Sequence, residues 1–146
     1  MIFKKDSYVV DVNYEINNQS DAVWQGAMYA QFLSTEIVKQ GGGFGQLPSY
    51  TGAAVYTQDE NYEKVSYKDM RKGDYSSKTE SGWAAMLQHY FVGAWIPEGD
   101  GAKIIYSGTS QNATPPTYRI GYKNEALTSV APGAQAQLGS SVYLGS

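Results

Sequence analysis

Polar and apolar residues alternate along residues 8–16 of this chain. The even positions carry tyrosine, valine or isoleucine, whereas aspartate, asparagine and glutamate fill the odd positions from 11 to 15. A period of two places the apolar side chains on one face of an extended chain, so the segment predicts a half-buried strand. Turn-forming residues at 17–21 lead into a second extended run at 23–32. The two runs are predicted to pair as an antiparallel hairpin.

Short segments of similar character continue along the chain. Further strands are predicted at residues 53–57, 64–70, 103–107, 117–122, 126–130 and 135–144. Residues 71–81 are polar and predicted to be exposed, and the glycine-rich stretch at about 39–50 predicts a long loop. No helical period separates the strands. We therefore expect a mostly β chain, an antiparallel β-sandwich, with residues 1–146 as a single domain.

The segment GWAAMLQHYFVGAWIP at residues 82–97 is ambiguous by pattern alone. Its large apolar residues fall on one helical stripe, which favours a helix. The aromatic and β-branched residues at 90–92 favour a strand, and Gly93 weakens a helix. The residues themselves leave both structures open.

Composition limits the functional classes. The net charge is −3 and no basic patch is visible, which excludes the usual electrostatic basis of nucleic-acid binding. The chain has no cysteine, so disulfides, thiolate nucleophiles and cysteine-ligated zinc sites are excluded. No apolar run approaches the length of a membrane-spanning helix, and the first residues lack the order of a signal peptide.

Three features are candidates for chemistry. The glycine-rich run at residues 41–45 lacks the Gly-Lys-Ser/Thr continuation of a phosphate-binding loop, so it is interpreted as a mobile loop. The carboxylates at residues 59, 60 and 63 lie in a polar turn, where such groups are usually only solvated. His89 is the single histidine and has no serine elbow to pair with, so we interpret it as structural.

Several segments together resemble one family. They are the runs TGAAVYT and DENYEK at residues 51–64, the block at 82–97, IGYK at 120–123 and APG at 131–133, with the two ends of the chain in matching order. This ordered set resembles the large periplasmic domain of the bacterial YidC membrane insertases. The block at 82–97 is the most specific part of the resemblance.

The resemblance implies a β-supersandwich, similar to the galactose-mutarotase fold, of which this chain supplies only the C-terminal part. It implies that residues 83–96 are strand-like, with a short irregularity near residues 88–90. Regular alternation along that strand predicts a structural core motif on one face, formed by Trp83, Leu87, Phe91 and Trp95. His89 would share this face as a buried residue unless a bulge turns it outward.

The resemblance also implies a role in the periplasm, as a non-catalytic domain of an inner-membrane protein whose membrane anchor lies in segments outside this chain. The implied partners are the Sec accessory complex SecDF and the Sec translocon, with inserting membrane proteins as a further candidate. No cofactor, metal or catalytic residue is implied. The partner contact falls around residues 37–81, where the best-matching residues are Gly52, Ala53, Ala54, Tyr56, Asp59, Glu60, Tyr62, Glu63 and Lys64.

Two other functions are compatible with the composition. A carbohydrate-binding or degenerate mutarotase-like domain would use the tyrosine-rich surface together with Asp59, Glu60 and His89. A structural subunit of an envelope or phage assembly is suggested only by the glycine- and tyrosine-rich β composition. In each case a partial sandwich leaves a sheet edge or an apolar face exposed, which predicts self-association or pairing with a further segment.

Overall fold

The structure, a computed structural model, describes residues 2–3, 7–36 and 50–146. Within these ranges the chain forms a series of strands and one short helix. The elements are β1 (Ile2–Phe3), β2 (Val9–Asn17), β3 (Trp24–Gly26), β4 (Tyr29–Thr35), β5 (Gly52–Thr57), β6 (Asn61–Val65), α1 (Tyr67–Lys72), β7 (Ser76–Thr79), β8 (Gly82–Gln88), β9 (Phe91–Pro97), β10 (Lys103–Ser110), β11 (Thr117–Asn124), β12 (Thr128–Val130) and β13 (Gln135–Gly145).

The strands form two main sheets. The large sheet has the strand order β1-β2-β13-β9-β8-β5-β6, and the small sheet has the order β4-β11-β10-β7. A two-stranded ribbon of β12 and β3 lies beside them. Every pairing is antiparallel, which confirms the predicted mostly β, antiparallel sandwich. No helix in the described part of the chain is long and apolar enough to cross a bilayer.

The core lies between the two main sheets. Ala53, Val55, Ala84 and Met86 come from the large sheet, and the small sheet contributes residues that include Ile105, Tyr118, Ile120 and Tyr122. Side chains on the other face of β8 alternate with these, as the period of a strand requires. Burying an isoleucine side chain fully stabilises a fold by about 1.5–3 kcal/mol, so this layer holds the sheets together.

The predicted hairpin of residues 8–16 and 23–32 is wrong. β2 pairs with β1 and β13, and residues 23–32 are divided between β3 and β4 in different sheets. The buried side chain of Asn18 explains this, because its Nδ2 donates to the carbonyls of Ala22 and Val130, at 2.8 Å each. These bonds direct the chain toward β12 rather than back along β2.

The predicted strand at residues 64–70 is also wrong in its second half. β6 ends at Val65 and α1 begins two residues later. Ser66 caps this helix: its Oγ accepts from the Asp69 backbone N–H at 3.1 Å, and the Asp69 carboxylate accepts from the Ser66 N–H at 3.1 Å. This capping box is a local signal that outweighs strand propensity. Residues 71–81 are mostly exposed, as predicted, although they include β7 and the buried Thr79.

Residues 82–97 are extended, but they do not form one strand. β8 and β9 are joined by a two-residue turn at His89 and Tyr90, and Gln88 pairs with Phe91. The shared face predicted for the core motif is therefore wrong. Trp83 and Leu87 lie on the outer face of the large sheet, whereas Trp95 lies opposite Ala84 and packs against the core. The turn was missed because it has neither glycine nor asparagine, the usual residues of such hairpins.

Candidate interaction surface

The hairpin of β5 and β6 carries all nine residues of the predicted partner surface. Val55 pairs with Glu63 and Tyr56 with Tyr62, and residues 58–60 form the connecting turn. Asp59 and Glu60 are exposed in that turn, and Tyr62 and Lys64 are exposed on β6. Gly52, Ala53 and Ala54 are buried, so they pack within the fold rather than face solvent. The structure thus brings the exposed members together along the last strand of the large sheet.

The turn of this hairpin is held by threonines. The Thr57 Oγ1 accepts from the backbone N–H of Glu60 at 3.2 Å, and the Thr79 Oγ1 accepts from that of Gln58 at 3.2 Å. Asn61 takes a positive φ of 56°, a conformation that asparagine tolerates better than most residues. The second bond ties the turn to β7 of the small sheet, which fixes the orientation of the hairpin.

An aromatic cluster, formed by Tyr56, Tyr62 and Trp83, covers the outer face of the hairpin. The Tyr56 and Trp83 rings stack with centroids 6.2 Å apart, and the Tyr62 ring lies 6.1 Å from that of Trp83. Pairs of this kind are each worth about 0.5–1.5 kcal/mol beyond burial. Beside them, the Lys64 Nζ lies 4.8 Å from the centre of the Tyr50 ring.

Next to the aromatic cluster, an apolar trough crosses the outer face of the large sheet. Its floor is a row of alanines in register on β5, β8 and β9, namely Ala54, Ala85 and Ala94. Larger side chains flank this row and enclose a cavity of about 290 Å³; they are Tyr62, Trp83, Leu87, Val92, Ile96 and Tyr143. Trp83 and Leu87 therefore line a surface rather than the core between the sheets.

On the other side of β6, an acidic groove separates the strand from the connection between α1 and β7. The groove has a volume of about 320 Å³ and is lined by Glu63, Lys64, Val65, Asp69, Gly73, Asp74 and Tyr75. The bonds from Ser66 hold the pKa of the Asp69 carboxyl below its ordinary value, so this group is charged at neutral pH. Burial raises the pKa of Tyr75 to about 12 and keeps its hydroxyl protonated.

The residues proposed for a sugar site are not brought together. His89 occupies the turn after β8, next to the start of β5, because Gly52 pairs with Leu87. Asp59 and Glu60 follow the other end of β5, where Thr57 pairs with Gly82. The two ends of β5 are five residue steps apart, which corresponds to about 17 Å in an extended strand. His89 is half-buried, and the centre of its ring lies 4.0 Å from that of Tyr90. Among the described residues, no three acidic or histidine side chains are placed to hold a metal ion.

An open apolar groove also lies where the large sheet extends beyond the small one. It has a volume of about 570 Å³ and runs between β2 and β4, with Trp95 at its floor. Around it Tyr14 is 56% exposed and Tyr29 is 64% exposed. The structure therefore has the exposed apolar face that a partial sandwich predicts, while the predicted self-association remains a prediction. The glycine-rich run at residues 41–45 lies outside the described residues.

Comparison with known proteins gives a consistent family match. Residues 1–146 match the family described as the YidC periplasmic domain. The chain is similar to the membrane protein insertase YidC of Shewanella sp. (strain ANA-3), with 40% identity over 99% of this chain and 26% of that protein. It is 41% identical to the protein of the same name from Shewanella woodyi, over 99% of this chain and 25% of that protein. The chain thus spans about a quarter of the length of these relatives.

Proposed function

Because this chain belongs to the YidC periplasmic domain family, we propose that it is a non-catalytic binding domain that supports membrane protein insertion from the periplasmic side. Relatives that bear the insertase name extend well beyond the matched quarter. The contribution proposed for this chain is therefore contact with other proteins rather than insertion itself. In this role it works as a rigid sandwich that presents surfaces on its outer face.

The observation that carries the proposal is the composition of the β5–β6 hairpin. It combines an aromatic cluster with exposed charges at its turn, and the exposed fraction of the Tyr62 side chain is 51%. Aromatic side chains surrounded by polar groups are typical of protein interfaces, where a few such residues supply most of the binding energy. A rigid sheet that supports them lowers the entropic cost of binding.

The proposed partners are the Sec accessory complex SecDF and, through it, the Sec translocon. They are carried over from the resemblance at residues 51–64, which the hairpin contains. Of the residues assigned to the contact, those exposed at the turn and on β6 are able to touch a partner directly. Gly52, Ala53 and Ala54 are buried and hold the position of the hairpin by packing.

The test is co-purification of SecDF with the full-length protein that carries this chain. Tyr62→Ala removes an exposed aromatic side chain and leaves the sheet register unchanged. We expect recovery of SecDF to fall by about tenfold, the effect of one interface anchor worth roughly 1.4 kcal/mol. Tyr29→Ala is the matched control, because Tyr29 is also more than half exposed, at 64%, but lies on the small sheet. Equal recovery with both variants would show that the hairpin is not the contact surface.

A further inference from the structure

In the described part of the chain, the outer edge of β6 is a free sheet edge. β6 is the last strand of the large sheet, and within the described residues only β5 pairs with it. A free edge presents backbone N–H and C=O groups that a strand from another chain is able to complete. Since the strand is five residues long, it offers room for a short extended segment.

The two faces of β6 differ in chemistry. Tyr62 and Lys64 point to the outer face, where Tyr62 joins the aromatic cluster, and Glu63 points to the opposite face. A strand added to this edge would continue both faces. Its side chains would alternate between the aromatic surface and the acidic groove.

Charge in the groove is mainly negative. Three carboxylates line it, those of Glu63, Asp69 and Asp74, against the single ammonium of Lys64. Lys64 is directed toward the Tyr50 ring on the outer face, which leaves the carboxylates of the groove without a lysine from β6. The helix lysines Lys68 and Lys72 act on Asp69 from the exposed side of α1 but do not line the groove. The groove therefore favours a cationic side chain.

We propose that the free edge of β6 binds an extended segment of a partner protein in which basic and apolar residues alternate. The segment pairs with β6 through its backbone, places lysine or arginine in the acidic groove and lays its apolar side chains on the aromatic cluster. This inference rests on the partner-binding role proposed for the same hairpin, and it specifies the chemistry of what binds there.

The probe is a fluorescein-labelled peptide of eight residues in which lysine alternates with valine. Its binding to the full-length protein, purified in detergent, is followed by fluorescence anisotropy. A peptide with the same residues in two blocks, four lysines and then four valines, is the control for net charge. We expect the alternating peptide to bind at least about tenfold more tightly, because only its period of two matches a strand.

The double variant Glu63→Lys/Asp74→Lys tests the groove. We expect it to weaken binding of the alternating peptide by about tenfold and to favour a glutamate–valine version instead. The control variant Glu15→Lys/Asp21→Lys makes the same change in net charge at exposed positions away from β6 and should leave the affinity unchanged. If both variants lose the same amount of affinity for the alternating peptide, the effect is due to net charge alone and the proposal is overturned.

Hydrogen exchange separates strand addition from side-chain contact. Saturating alternating peptide should slow amide exchange within residues 61–65, because a strand added there gives the outward N–H groups new acceptors. Unchanged exchange on β6, or no binding up to about 1 mM peptide, overturns the inference. If SecDF recovery still depends on Tyr62 in that case, the proposed function stands alone. If the peptide binds but recovery of SecDF is unchanged by Tyr62→Ala, the strand-binding edge is supported and the assignment of SecDF as the partner is wrong.

Discussion

Lys103 is the only charged residue among the buried side chains of the described residues, with 2% of its surface exposed. Its ammonium donates to the backbone carbonyls of Gly99, Asp100 and Gly101, at 2.6, 3.3 and 2.8 Å. Gly99 and Gly101 both have positive φ angles, which fold the turn so that its carbonyls converge. A buried charge is tolerated when its hydrogen bonds are complete, and here the turn completes them.

Replacing this lysine should therefore be costly. We expect Lys103→Met to lower the free energy of unfolding by about 2–4 kcal/mol, since the three carbonyls lose their shared donor inside the fold. Urea denaturation measures the change. Lys123→Met, an exposed lysine on the neighbouring strand β11, is the matched control and should change stability by less than about 0.5 kcal/mol. Similar values for both lysines would contradict the role assigned to the turn.

The sequence showed the charge of Lys103 but not its burial. Position 103 opens a predicted strand, and a lysine at a strand end is ordinarily solvated. Its carbonyl partners come from the backbone, which carries no side-chain signal. The same holds for Asn18. In the sequence it is one of several turn-forming residues, but its side-chain amide donates to the carbonyl of Val130, far away along the chain. Contacts of this kind follow from the fold and are not encoded in local pattern.

Among the elements, α1 shows a local signal that the strand pattern concealed. Ser66 and Asp69 have the spacing of a capping box, but the helix has only six residues and no visible helical period. It forms because Tyr67 and Met70 are buried in the core, with the Tyr67 ring 4.5 Å from that of Tyr118. By contrast, β2, β10, β11 and β13 followed from alternation of polar and apolar residues. In β10 and β11 the alternation places Ile105, Tyr118, Ile120 and Tyr122 in the core.

The capping box should be visible in the titration of Asp69. Bonds from Ser66 lower the pKa of this carboxyl in the folded state, so its stabilising contribution is present at neutral pH and is lost as the pH falls through the folded-state pKa. Ser66→Ala removes the largest cause, and we expect the pKa of Asp69 to rise toward its ordinary value. Carboxyl NMR resonances followed against pH measure this shift. Ser129→Ala, which removes an exposed hydroxyl on β12 away from α1, is the control variant and should leave the pKa of Asp69 unchanged.

At the scale of the whole molecule, the resemblance and the strand pattern together predicted the fold class and the family. They did not predict that residues 82–97 turn back on themselves, which moves Trp83 to the outer face and leaves Trp95 between the sheets. A reversal of direction at His89 and Tyr90 changes the face of every residue that follows, as a shift of one residue in register does. The outer aromatic surface that we propose as a contact site depends on this turn.

The separated positions of the two tryptophans allow a test of whether the sheets fold as one unit. Ile105 is fully buried on the small sheet and belongs to the same core cluster as Ala53 and Met86 of the large sheet. Ile105→Ala should lower the free energy of unfolding by about 2–5 kcal/mol through lost burial and the cavity that remains. Because Trp24 also fluoresces, it is replaced by phenylalanine in both backgrounds. Fluorescence of the Trp24→Phe/Trp83→Phe and Trp24→Phe/Trp95→Phe proteins then monitors the inner and the outer tryptophan separately.

If the shared core couples the layers, fluorescence and circular dichroism should give the same urea midpoint within each background, and Ile105→Ala should lower the midpoint in both backgrounds. Val23→Ala provides the control, because Val23 is exposed ahead of β3 and its loss should move neither midpoint. A Trp83 signal that keeps its midpoint while the Trp95 signal shifts would mean that the outer face melts independently of the core. In that case the interaction surface would not be rigid, and binding a partner would carry a larger entropic cost than proposed.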